Sequence, residues 1–65
     1  MKIDNKKFYL CCANCGIGSV EALRKAGLNL WLLSSINKGR NVRSKTLAKL
    51  AAALNVAPKD LLKEE

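Results

Sequence analysis

Cys11, Cys12 and Cys15 stand close together and include a Cys-x-x-Cys spacing. Such a pair can cycle between dithiol and disulfide, or it can lend two thiolates to zinc. The redox use belongs beside a βαβ pattern, and no segment of this chain alternates apolar and polar residues as a strand does. A closed zinc site takes four ligands, whereas the sequence offers three thiols and no histidine. Without imidazole, a mixed Cys/His zinc site and a complete hydrolase triad are both excluded. A thiol enzyme or metal sensor therefore rests on the cysteines alone. The competing reading is structural: Phe8, Cys11, Cys12 and Cys15 recur at i, i+3, i+4 and i+7, one face of a helix, where free cysteine packs as a small hydrophobe. The expectation is a buried face, with no metal and no cofactor. Free thiols also agree with a reducing cytoplasm.

The second set of reactive groups is cationic. The 65 residues carry 12 Lys/Arg and 5 Asp/Glu, a formal net charge of +7. No acid falls between Ala22 and Lys59, while Arg24, Lys25, Lys38, Arg40, Arg43, Lys45, Lys49 and Lys59 all lie there. The acids Asp4, Glu21, Asp60, Glu64 and Glu65 stand at the edges. A basic middle on a small chain points to a polyanion, with nucleic acid ahead of an anionic membrane surface. No apolar run approaches the ~20 residues of a membrane span, and no targeting segment is visible. A chain this short buries only about 60% of its unfolded surface, which leaves no room for a large catalytic cavity or a small-molecule substrate. The sequence reads as one cytoplasmic, non-enzymatic domain over residues 1–65.

Helices must position these groups. Asp4 is placed to cap a first helix, which Gly16 and Gly18 end. A second, short helix from Ser19 buries Val20, Leu23 and either Ala22 or Ala26, and Gly27 interrupts it. Asn29 caps a third helix running to about Asn37, with Leu33 and Ile36 inward and Gly39 closing it. After the basic loop Arg40–Arg43, Ser44 caps a fourth helix whose Leu47, Leu50, Ala51 and Leu54 repeat the i, i+3, i+4, i+7 pattern. Asn55 is a left-handed stop, Val56 packs beneath the turn, and Pro58 opens a fifth helix carrying Asp60, Leu61 and Leu62. The prediction is an all-α globule of five short helices.

Residues 19–38 read as helix, turn, helix, with Gly27 in the turn, where a positive φ is needed. The spacing Gly27-Leu28-Asn29, then Leu33, Ser34, Ile36 and Gly39, resembles the Xre/Cro family of phage-repressor-like DNA-binding domains. The continuation from Val42 to Leu62, with its Thr46-Leu47, Leu50-Ala51, Leu54-x-Val56-x-Pro58-x-Asp60-Leu61-Leu62 spacing, resembles the last two helices of that family. The likeness covers the chain from about Lys6 to Leu62. It implies a compact five-helix lambda-repressor-like fold and a transcriptional regulator of phage, plasmid or bacterial origin that binds double-stranded DNA.

The resemblance also implies roles. The third helix would enter the major groove with Asn29, Leu30, Trp31, Ser34 and Ser35 toward the bases. Gly18 and Ser19 would meet a phosphate at the start of the second helix, and Lys38, Arg40, Asn41 and Arg43 would grip the backbone. Two features depart from the family pattern. Leu23 and Ala22 exchange the usual small and large positions, and Leu30-Trp31-Leu32 offers thymine methyls an apolar contact in place of bidentate hydrogen bonds. Either the short helix rotates to bury Leu30 or Trp31, or Leu30, Trp31 and Leu32 form an exposed interaction patch. In the second case the alternative is a protein-docking module, a modulator or antirepressor that binds a larger regulatory protein or a second copy. Lys45 and Lys49 read as a solvated face.

Overall fold

The computed structural model describes residues 1–64 and contains four α-helices followed by one 3₁₀ turn. Glu65, counted above with the acidic rim, lies outside the described residues. Helix α1 covers Asn5–Asn14, α2 Ser19–Lys25, α3 Trp31–Asn37 and α4 Ser44–Leu54. The Asp4 carboxylate caps α1, accepting the backbone N–H groups of Lys6 at 2.9 Å and Lys7 at 3.3 Å. Asn55 ends α4 in the left-handed conformation, φ 57°. The two expected serine caps sit one position inward. Gly18 and Arg43 hold the N-cap positions of α2 and α4, and Ser19 and Ser44 are the first helical residues.

The expected fifth helix is a single 3₁₀ turn, Pro58–Asp60. Proline opens it, and an Asp60 carboxylate oxygen accepts the Ala57 N–H at 3.3 Å. Immediately afterwards the chain turns to meet the N-terminus, which occupies the backbone groups a longer helix would use. Ile3 and Leu62 form an antiparallel bridge, the Asp4 N–H donates to the Leu61 carbonyl at 2.8 Å, and the Lys63 N–H donates to Lys2 at 2.9 Å. On its other side Lys2 bridges Asn41. These isolated bridges are the only extended pairing among the described residues.

The core is made by Ile3, Phe8, Cys11, Cys12, Ala22, Leu23, Ile36, Leu47, Leu50, Ala51, Leu54 and Leu61. Helix α2 lies at its centre, packed against α1, α3 and α4. Ala22 and Leu23 are both fully buried, so the exchanged sizes are both absorbed by the core. Two expected core residues face out. Val20 is exposed because the buried stripe of α2 is centred on Ala22, Leu23 and Ala26, and Val20 lies off it. Cys15 is exposed because α1 stops at Asn14, which makes Cys15 its C-cap rather than another turn. Its thiol still reaches the carbonyl of Leu54, at 3.2 Å. No helix among the described residues is long and apolar enough to cross a membrane.

Candidate nucleic-acid interface

The turn between α2 and α3 begins with Gly27 at φ 71°, a conformation that costs an L side chain and costs glycine little. The Gly27 N–H donates to Arg24 and the Leu28 N–H to Leu23, which closes the end of α2. The Asn29 side-chain oxygen then accepts the Trp31 N–H at 3.0 Å, while the backbone N–H groups of Leu32 and Leu33 donate to Asn29 and Leu30. The first turn of α3 is thus wound tightly, and Asn29 spends its oxygen as a local cap. At the far end Gly39, φ 68°, reverses the chain, and the Arg40 N–H returns to the Ser35 carbonyl at 2.9 Å.

This geometry sorts the side chains of α3. Ile36 is buried, and Leu32 and Leu33 are half-buried against the core. Leu30 and Ser34 are exposed, Ser35 is half-buried, and Trp31 is 83% exposed. The helix has not rotated to bury Trp31 or Leu30. Leu32, expected on the outward patch, is the exception: it packs inward, so the outward apolar pair is Leu30 and Trp31. A surface concavity joins this pair to Leu33, Ser34 and Ser35 and to the cationic Lys38 and Arg40. A second one runs from Trp31 and Asn29 to Thr46 at the start of α4.

The loop after α3 presents Arg40, Asn41 and Arg43 to solvent. The single ion pair among the described residues joins Lys7 to Glu64, so neither arginine is neutralised by a carboxylate. Asn41 is partly engaged, since its side-chain oxygen accepts from the Met1 ammonium at 3.4 Å. The loop is also tied through the backbone, the Val42 N–H donating to Met1. Gly18, extended and exposed, begins α2 with Ser19 half-buried behind it. Lys45 and Lys49 are exposed on α4.

The thiols do not join this surface. Burial raises the pKa of Cys11, helped by the Asp60 carboxylate and Cys15; burial likewise raises that of Cys12, helped by the neighbouring thiols. A raised pKa keeps both in the unreactive protonated form. No cluster of three or more His, Cys, Asp or Glu suited to a metal is found among the described residues.

What sequence reasoning missed is the support of the loop by Met1 and Lys2, with Ile3 anchoring that segment in the core. The only signal available was one apolar residue, Ile3, ahead of the α1 cap.

The sequence matches the family model of the Cro/C1-type helix-turn-helix DNA-binding domain over residues 12–65. No significant match joins it to a curated protein or to a solved structure. The match takes in α2, the Gly27 turn, α3, α4 and the 3₁₀ turn, the elements that carry the exposed cationic loop and the outward face of α3. With most of its length inside that match, the chain belongs to the Cro/C1-type helix-turn-helix DNA-binding domains.

Proposed function

We propose that the chain regulates transcription by seating α3 in the major groove of double-stranded DNA, with Asn29, Leu30, Trp31, Ser34 and Ser35 toward the base edges. Lys38, Arg40, Asn41 and Arg43 hold phosphates, as do the backbone N–H groups at Gly18 and Ser19. One observation carries this reading: Lys38 and Arg40 share a surface concavity with the outward face of α3, in a stretch that holds no acid from Ala22 to Lys59. A polyanion is attracted to that surface and meets no charge repulsion on it. Residues 1–65 act as one binding unit, used twice on a pair of half-sites. Fluorescence anisotropy of a labelled mixed-sequence duplex tests the proposal, at about 50 mM and about 200 mM salt. Binding that weakens steeply with salt is expected. No binding at the lower salt overturns the reading.

The exposure of Trp31 favours a second reading, in which Leu30 and Trp31 dock on a larger regulatory protein or a second copy. Sedimentation equilibrium separates the two. A mass that rises with concentration, falls back in Trp31→Ala and is accompanied by no affinity for DNA supports protein docking.

A further inference from the structure

The outward face of α3 is short of groups that tell one base from another. Reading adenine bidentately takes a free carboxamide, and reading guanine takes Arg or Lys. From Asn29 to Asn37 the chain has two carboxamides and no Arg, Lys, Gln, Asp or Glu. Both carboxamides have their oxygen engaged within the protein, which turns each side chain toward its own partner and away from a bidentate pairing. Asn29 accepts the Trp31 N–H at 3.0 Å, and Asn37 accepts the Tyr9 hydroxyl at 3.1 Å. The remaining polar groups facing out are the hydroxyls of Ser34 and Ser35, which donate or accept and so pair with any base edge. Lys38 and Arg40, in the same concavity, suit phosphate.

What is left to discriminate is apolar. Leu30 is 40% and Trp31 83% exposed, side by side at the start of the helix. The major groove presents one apolar group at a base edge, the C5-methyl of thymine. We infer that the protein selects DNA through thymine methyls packed against Trp31 and Leu30, and that its preferred half-sites carry thymine where these side chains sit. The inference rests on the DNA-binding reading above and names the feature of DNA which that site recognises. Each methyl covered removes apolar surface from water on both partners, worth about fourfold in affinity.

The test selects duplexes from a randomised pool with the full chain, then resynthesises them with deoxyuridine for thymidine, which removes only the methyl. Affinity is expected to fall about fourfold at each contacted position. The double variant Leu30→Ala/Trp31→Ala, changed at two exposed side chains, is expected to fold normally and to bind both forms alike, and Trp31→Phe to keep the thymine preference. Selected duplexes that bind equally with and without the methyl overturn the inference and leave DNA binding intact. So does a pool that binds without enrichment. No binding at low salt overturns the DNA-binding reading and this inference with it.

Discussion

The backbone N–H of Val42 donates to the carbonyl of Met1 at 2.6 Å, which fastens the loop after α3 to the start of the chain. Ile3, buried to 2% exposure, anchors that segment in the core, and Lys2 between them pairs with both Asn41 and Lys63. Ile3→Ala is therefore expected to cost about 2–4 kcal/mol, through lost burial and the cavity left behind. Met1→Ala, at an exposed side chain, should change stability by less than about 0.5 kcal/mol. Urea denaturation checks both. Equal effects from the two substitutions would contradict the anchoring role of Ile3.

Gly27 presents a different kind of cost. A Cβ built there meets no atom within 4 Å, so a substitution is penalised by the backbone alone. Gly27→Ala should destabilise by about 1–2 kcal/mol, and Gly27→Asn by less, since Asn tolerates the left-handed region. Thermal unfolding measures the order. If Ala were no worse than Asn, the positive φ would not be the constraint.

The exposed arginines lead to a prediction about salt. Arg40→Ala and Arg43→Ala are each expected to weaken binding to all duplexes and to reduce the slope of log K against log salt by about 1. Lys45→Ala, on the solvated face of α4, should leave the slope unchanged. Loss of affinity for one sequence only would show that the arginines read bases instead.

For the buried thiols the sign of the pH effect is fixed by burial. The pKa values of Cys11 and Cys12 are raised in the folded protein from the ordinary 9.0, so the folded state holds their protons more tightly than the unfolded chain does. Their contribution is complete below the ordinary thiol pKa and is lost as pH rises through it toward the folded value. Stability should fall above about pH 9, and Cys12→Ala should make the fall shallower. In native protein a thiol reagent should modify exposed Cys15 first, with Cys11 and Cys12 reacting only on unfolding. Equal reaction of all three thiols would argue against the buried face.

The helices were legible because their signals are local. Asp4 caps α1, the positive φ values fall at Gly16, Gly27, Gly39 and Asn55, and Leu47, Leu50, Ala51 and Leu54 repeat along one face of α4. Contacts distant in sequence were not legible. Ile3 meets Leu62 and Lys2 meets Asn41 without any periodic pattern, and that pairing is also what limits the final helix to one turn. Cys15 and Val20 show the resolution of a periodic argument: a helix that ends one residue early turns Cys15 outward, and a stripe centred on Ala22, Leu23 and Ala26 leaves Val20 off it. On α3 the inward placement of Ile36 and Leu33 was legible, whereas which of Leu30, Trp31 and Leu32 would face out was not, since a small rotation of so short a helix exchanges them. That Asn29 would cap the start of α3 was legible from its type and position; that the cap takes up an oxygen also suited to a base edge was not, since residue type fits both roles.

The chain has one tryptophan, and among the described residues it is the most exposed of the large apolar side chains. Excited selectively, Trp31 emits from a single place, the outward face of α3. In the free protein that indole is bathed in water, and a red-shifted emission is expected of it. Any macromolecule that closes over the helix must strip that water away, so the protein carries an intrinsic optical gauge of whether the outward face of α3 is occupied, with no label added.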